Sequence, residues 1–179
     1  MLTIRDSAED RRKARFEQSI TSAFLLVYNQ AKGTAFSIVR GGTPPEPDLV
    51  CQDAKSYSSM GVEVVTVYYD KTHAKSVWEQ ARGRPMLPYF ITKTDEIENG
   101  RVLARALREI KKKSKKEYKR LDRALLLVQV HPLRFYLSNV REVVDAVRLP
   151  LSHPFDEIHL LSQYEAYELF PHRRWIFPE

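Results

Sequence analysis

Apolar residues recur every three or four positions in some segments of the chain and every second position in others. The helical period predicts a first helix that starts after Asp6 or Ser7 and ends near Gly33. Further helices are predicted over residues 70–80, from about 95 to 120, and around 139–148. Alternating and β-branched segments predict strands over residues 34–39, 48–52, 61–69, 123–130, 155–162 and 165–170.

The order of these elements indicates the fold class. A helix, three strands, two helices, a strand, a helix and two strands predict an α/β fold with a mixed central sheet flanked by helices. We expect parallel pairing across the helical crossovers and an antiparallel hairpin near the start. The aromatic tail at 175–177 is expected to pack back on the fold. A chain of 179 residues is the size of one domain, so residues 1–179 are predicted to form a single one.

Composition and charge narrow the classes of partner. The chain is 43% hydrophobic, but its longest apolar run, Ala124 to Val128, is far too short to span a bilayer. We therefore expect a soluble cytoplasmic protein with no membrane partner. The net charge of +6 and a pI near 9.4 favour a polyanionic partner. Much of the positive charge lies in a basic segment at residues 110–120. Such a segment is most often the solvated face of a helix; the alternative here is that it binds nucleic-acid phosphates. The candidate phosphate-binding residues are Lys111, Lys112, Lys113, Lys115, Lys116 and Lys119.

Three acidic residues are candidates for a metal site. Asp48 follows Pro47 and opens one predicted strand, and Glu63 lies in the next, on the same face as Val65. A carboxylate in so apolar a strand needs a partner, which is an arginine, a backbone amide or a metal ion. Two carboxylates on neighbouring strands repel each other unless a cation lies between them, which would suit Mg²⁺ or Mn²⁺. Glu17, at the edge of the apolar stripe of the first helix, either pairs with an arginine or adds a third acid.

Other constellations are weaker. Cys51 is read as a buried, inert thiol inside a strand. The five histidines show no zinc-ligand spacing, and the six glycines form no phosphate-binding loop or dinucleotide fingerprint. Cysteine, zinc and nucleotide-cofactor chemistry are therefore not expected.

Glu17 on a first helix, the Pro47-Asp48 pair and Glu63 in the following strand together resemble the PD-(D/E)XK nuclease superfamily, over roughly residues 10 to 80. The resemblance implies a restriction-endonuclease-like fold in which the three acids bind one or two Mg²⁺ ions. It also implies a lysine two residues after the strand acid, where this chain has Val65. A replacement cation is expected from Lys71 or Lys75 on the next helix, or from the basic segment around Lys113 and Lys116.

Three hypotheses follow. The first is a metal-dependent endonuclease that hydrolyses phosphodiester bonds of nucleic acid, with DNA as the expected form and a homodimer left open. The second is a catalytically degenerate member of the same fold that serves as a nucleic-acid-binding or protein-interaction module, which Val65 favours. The third is a basic α/β protein whose acids pair with arginines such as Arg12, Arg15 or Arg40, which would leave Asp48 and Glu63 apart.

Overall fold

The computed structural model describes residues 8–68, 71–82, 95–119, 121–130, 153–161, 165–170 and 173–176. These residues form three helices and a seven-stranded sheet, which confirms the predicted α/β class with a mixed central sheet. The helices are α1 (Ala8–Lys32), α2 (Lys71–Ala81) and α3 (Asp95–Lys113). The strands are β1 (Phe36–Gly41), β2 (Leu49–Asp53), β3 (Ser59–Val67), β4 (Arg123–Val130), β5 (Glu157–Leu161), β6 (Glu165–Phe170) and β7 (Arg173–Ile176). The helix predicted at 139–148 lies outside the described residues.

The seven strands lie in the sheet in their order along the chain. Strands β1, β2 and β3 pair antiparallel, β3, β4 and β5 pair parallel, and β5, β6 and β7 pair antiparallel. This pattern confirms both the early antiparallel hairpin and the parallel pairs across the crossovers. Strand β7 was not predicted as a strand, because four residues give too short an alternating pattern to stand out.

The hydrophobic core lies on both faces of the sheet. On one face α1 packs with Phe24 and Tyr28 over alternate residues of the strands, including Val62 and Leu125. On the other face α3 packs with Ile110 and its neighbours over the strand residues whose side chains point to that side. The central strand β4 is buried on both sides, as expected of a strand covered by helices on both faces. None of the helices in the described part of the chain combines the length and apolar character needed to cross a bilayer.

Helix α3 ends earlier than its basic sequence predicts. The helix was expected to continue to about residue 120, but it stops at Lys113. After Ser114, the backbone hydrogen bonds are of the tighter i to i−3 kind. The amide of Lys115 donates to the carbonyl of Lys112 at 3.4 Å, and the amide of Lys116 donates to the carbonyl of Lys113 at 3.0 Å. Beyond this turn, the amide of Lys119 donates to the carbonyl of Pro45 at 3.0 Å. This contact with a remote loop turns the chain away from the helix axis, and it is a tertiary interaction that helix propensity does not encode.

Candidate metal centre

The register of strands β2 and β3 brings two of the predicted acids together. Leu49 pairs with Val62 across the two strands, so the preceding Asp48 lies beside Glu63. The amide of Asp48 donates to Glu63 Oε2 at 3.3 Å, and the amide of Val64 donates to Asp48 Oδ2 at 2.9 Å. The two carboxylates are therefore held side by side by backbone amides. The hypothesis that places Asp48 and Glu63 apart is wrong.

The Pro-Asp turn is seated on a glycine of the neighbouring strand. Pro47 is buried, and its ring covers Gly61 of β3. A Cβ atom on Gly61 would lie 2.6 Å from Pro47 Cγ and 2.9 Å from a methyl group of Leu121. Only glycine lets the turn approach this closely, and the approach sets the position of Asp48 immediately before β2.

Helix α1 contributes the third predicted acid. Glu17 is only 9% exposed. Burial raises the pKa of Glu17, and the negative charges of Asp48 and, to a smaller extent, Glu63 add to this effect. Against the lowering effect of Lys13, the pKa of Glu17 is about 7. Lys13 Nζ lies 3.4 Å from Glu17 Oε1. The three acids predicted from the sequence thus form one electrostatically coupled group, built from α1, β2 and β3.

The cations of the site come from the end of α3. Lys113 donates a hydrogen bond to Glu63 Oε1, and Lys116 Nζ lies 3.9 Å from the same oxygen. Val65, at the position where the resemblance implies a lysine, is packed in the core beneath α3. Lys71 and Lys75 lie exposed on α2, and the contacts with Glu63 are made by the two lysines of the basic segment instead.

Burial and the carboxylates have opposite effects on Lys113. Its side chain is 15% exposed, and burial disfavours its charged form. The hydrogen bond and the charge of Glu63, with a further contribution from Asp48, outweigh that effect and raise the pKa of Lys113. Nearby, burial raises the pKa of Tyr118, and the charges of Glu63 and Asp48 raise it further. Lys113 therefore stays an ammonium and Tyr118 a neutral phenol at physiological pH.

A second contact ties the Pro-Asp loop to the basic segment. The carboxylate of Glu46 accepts two hydrogen bonds from Arg40, at 2.6 and 3.0 Å, and one from Lys119 at 3.0 Å. It also accepts the amide of Thr43 at 3.2 Å. The hydrogen bonds from Arg40 and Lys119 hold the pKa of Glu46 well below its usual range. Glu46 thus links β1, the loop before Asp48 and the segment after α3 on one side of the site.

The remaining predicted lysines lie on the surface of the same segment. Lys111, Lys112 and Lys115 are exposed. Lys112 pairs with Glu109 at 3.5 Å, one helical turn away, as is typical of the solvated face of a helix.

A different acidic cluster lies on the α1 face of the sheet, opposite to the face on which Glu63 lies. Within the described part of the chain, Glu157, His159 and Glu168 form the group whose ligand-type atoms all lie within 4.8 Å of one another, which the three predicted acids do not. All three side chains are buried. Arg123 donates a hydrogen bond to Glu157, and Lys32 Nζ lies 3.6 Å from Glu157 and 3.5 Å from Glu168.

The charges of this second cluster balance without a metal ion. Two carboxylates face two basic side chains, and His159 Nε2 lies 2.9 Å from Glu157 Oε2. Burial lowers the pKa of His159 and so favours its neutral form, against the raising effect of Glu157. The ring of His159 also contacts the ring of Phe24, with centroids 4.7 Å apart. We interpret the cluster as an internal ion-pair network of the core, although its donor atoms are ones that metal ions use.

Sequence reasoning identified the acids but not all of their partners. The pair of Lys13 and Glu17 has the i, i+4 spacing that favours contact on a helix, so the sequence did contain a signal for it. Glu46 had none, because its partners lie in β1 and in the segment after α3. The same is true of Glu168, which meets Glu157 and His159 only through strand pairing.

Comparison of the chain with models of known protein families, with curated proteins and with solved structures found no match.

Proposed function

We propose that this protein is a metal-dependent nuclease of the PD-(D/E)XK type with a restriction-endonuclease-like fold. In this proposal Glu17, Asp48 and Glu63 hold Mg²⁺ or Mn²⁺, and the substrate is the phosphodiester backbone of nucleic acid, with DNA as the first form to test. Lys113 and Lys116 supply the positive charge that the resemblance assigns to a lysine two residues after Glu63.

The observation that carries the proposal is the contact of Asp48 and Glu63 with each other and of Glu63 with Lys113, with Glu17 electrostatically coupled to both carboxylates. The acids come from α1, the residue before β2 and the middle of β3. A largely buried ammonium, that of Lys113 at the end of α3, donates a hydrogen bond to Glu63 Oε1. A group of three acids is costly unless cations neutralise it. Carboxylates grouped with one fixed lysine are typical of sites that bind a cation and a phosphate together.

The donor set fits the proposed metal. Carboxylate oxygens are the ligands that Mg²⁺ and Mn²⁺ prefer, and no soft ligand lies among the three acids. A divalent cation bound there would supply charge stabilisation at the phosphate and lower the pKa of a water molecule. Glu63 and Asp48 are oriented by backbone amides.

Lys113 has the role of a fixed cation near the reacting phosphate. It approaches Glu63 from the α3 side of the sheet, the side on which a lysine at position 65 would also project. A fixed ammonium stabilises the negative charge that develops on the phosphate oxygens in the transition state. The exposed lysines of the same segment extend the positive surface along which a phosphate backbone can lie.

The direct test is cleavage of supercoiled plasmid and single-stranded DNA, with RNA in parallel, in Mg²⁺ and in Mn²⁺. The wild-type protein is expected to cut, and Asp48→Asn and Glu63→Gln are expected to lose about a hundredfold or more in rate. Glu109→Gln is the matched control, because Glu109 also lies near a lysine but on the exposed side of α3. Circular dichroism of each variant establishes that it is folded.

The degenerate binding module remains the alternative, and the replacement of the expected lysine by Val65 is the observation that favours it. No cleavage by the folded wild type, together with salt-sensitive DNA binding that survives both substitutions, would overturn the nuclease proposal in favour of that module. Equal cleavage by wild type and both acid variants would instead place the activity elsewhere.

A further inference from the structure

Without a metal ion, the candidate metal centre is electrically balanced when Glu17 is ionised. Its three carboxylates face three lysines, Lys13 beside Glu17 and the pair Lys113 and Lys116 beside Glu63. If all six are ionised, their charges sum to zero. A divalent cation bound by the carboxylates would therefore leave an excess of two positive charges, which a phosphate backbone can neutralise.

The three lysines differ in how firmly they are held. Lys113 is hydrogen-bonded, and its side chain is 15% exposed. Lys13 and Lys116 lie 3.4 and 3.9 Å from their carboxylates, farther than Lys113 lies from Glu63, and their side chains are 60% and 50% exposed. Their carboxylate partners are buried, but the ammonium groups of both lysines reach solvent, and a lysine stem has enough rotatable bonds to turn to another partner. Lys13 and Lys116 can thus exchange partners without disturbing the fold, whereas Lys113 cannot.

We propose that Lys13 and Lys116 are exchangeable counter-ions: they neutralise Glu17 and Glu63 in the metal-free protein, and they bind the substrate phosphates on either side of the scissile one once a divalent cation occupies the carboxylates. The two lysines approach different acids from different elements, Lys13 from α1 and Lys116 from the turn after α3. The substrate class this implies is a nucleic-acid strand with an internal phosphodiester and a phosphate on each side. The inference rests on the proposed function and adds to it the identity of the substrate-binding residues.

Partner exchange has a consequence that simple phosphate binding lacks. A lysine that neutralises a carboxylate competes with the metal, so its removal strengthens metal binding. The same lysine binds phosphate when the metal is present, so its removal weakens nucleic-acid binding. Metal and nucleic acid then bind with positive coupling, and by linkage each raises the affinity for the other by the same factor.

The experiment compares Lys13→Gln and Lys116→Gln with the wild type. Mn²⁺ binding to the protein alone is measured by the electron paramagnetic resonance signal of free Mn²⁺. Binding of a fluorescein-labelled single-stranded oligonucleotide is measured by anisotropy, with Ca²⁺ and with chelator, over a range of salt concentrations. Lys55→Gln is the control: it removes the same charge, but Lys55 lies beyond the far end of β2 from Asp48, where it donates to the carbonyl of Gly33 at 2.7 Å.

The expected signs are opposite for the two ligands. Each variant should bind Mn²⁺ about five- to thirtyfold more tightly, the effect of removing one unit charge at about 8 to 4 Å from a divalent ion in a water-like medium. Each should bind the oligonucleotide more weakly with Ca²⁺ than the wild type does, and the salt dependence should fall by about 0.7 per lysine lost. The gain in oligonucleotide affinity on adding Ca²⁺ should shrink. Lys55→Gln should leave Mn²⁺ binding unchanged.

Unchanged or weaker Mn²⁺ binding in both variants would overturn the exchange, and so would oligonucleotide binding equal to that of the wild type. Because binding is measured without catalysis, the two proposals fail separately. A wild type that does not cleave but shows the opposite signs would overturn the nuclease and support the exchange. A wild type that cleaves, with Mn²⁺ affinity unaffected by either substitution, would support the nuclease and overturn the exchange.

Discussion

Lys113 carries the positive charge that the residue pattern around Glu63 lacks. Replacing it by methionine keeps the length of the side chain but removes the ammonium from Glu63. We expect Lys113→Met to lower the cleavage rate by about 10² to 10³, the usual cost of removing one preorganised charged donor from a transition state. The measurement is single-turnover cleavage with saturating Mg²⁺ and with enzyme in saturating excess over substrate, so that a change in substrate affinity does not enter.

Lys112→Met is the matched control for that experiment. Lys112 precedes Lys113 but is exposed and pairs with Glu109, so its replacement should leave the single-turnover rate within about twofold. An unchanged cleavage rate in Lys113→Met, with a large loss of rate in Lys71→Met or Lys75→Met, would assign the catalytic cation to α2. Lys71 and Lys75 are the other replacement cations that the sequence predicts.

At the scale of the element, the contact between β3 and the Pro-Asp turn fixes the position of Asp48. Gly61→Ala would place a Cβ atom 2.6 Å from Pro47 Cγ. We expect this crowding to destabilise the protein by about 1–3 kcal/mol. Because Pro47 must move and Asp48 follows it, cleavage should fall more than the loss of folded protein explains. Urea unfolding and the cleavage rate of the same folded sample measure the two effects.

Gly41→Ala supplies the comparison for Gly61→Ala. Gly41 lies at the end of β1, and a Cβ atom there would meet no other atom within 4 Å. The substitution is therefore expected to leave stability and cleavage nearly unchanged. Full activity in Gly61→Ala would mean that the position of Asp48 does not depend on the contact between Pro47 and Gly61.

Elements whose positions follow from local pattern were predictable, and the acids lie on such elements. Glu63 faces the same side as Val65 because strand side chains alternate, and its neighbour Asp48 follows from the pairing of consecutive strands. The end of α3 was not predictable in the same way. The contact between Lys119 and Pro45 joins segments far apart in sequence, and the position of Lys113 depends on where that contact ends the helix. The sequence therefore offered several candidate lysines without distinguishing among them.

At the scale of the whole molecule, the sheet separates two groups of charged side chains. Glu63 lies on the α3 face, whereas Glu157 lies on the α1 face, where it accepts a hydrogen bond from Tyr28 at 3.1 Å. Strand β4 lies between the strands that carry them, which adds about 10 Å of separation within the sheet. Side chains that far apart and without shared partners act on stability and function independently.

Glu157→Gln tests this separation through pH. Burial opposes the charged form of Glu157, but the hydrogen bond from His159 and the charges of His159, Lys32 and Arg123 outweigh it and lower its pKa from 4.5 to about 2. A lowered pKa in the folded state contributes stability above about pH 4.5 that is lost as the pH falls towards 2. The variant should therefore be less stable than the wild type by about 1–3 kcal/mol at neutral pH, and the difference should shrink in acid.

The same variant should cleave nucleic acid at the wild-type rate while it is folded, because none of its contacts reaches the three acids of the proposed site. Glu63→Gln should show the converse, with cleavage lost and the acid dependence attributed to Glu157 retained. The measurements are urea unfolding at neutral and acid pH and the cleavage rate in Mg²⁺. Loss of cleavage in folded Glu157→Gln, with activity retained in Glu63→Gln, would move the metal to the cluster of Glu157, His159 and Glu168, whose ligand atoms already lie within 4.8 Å of one another.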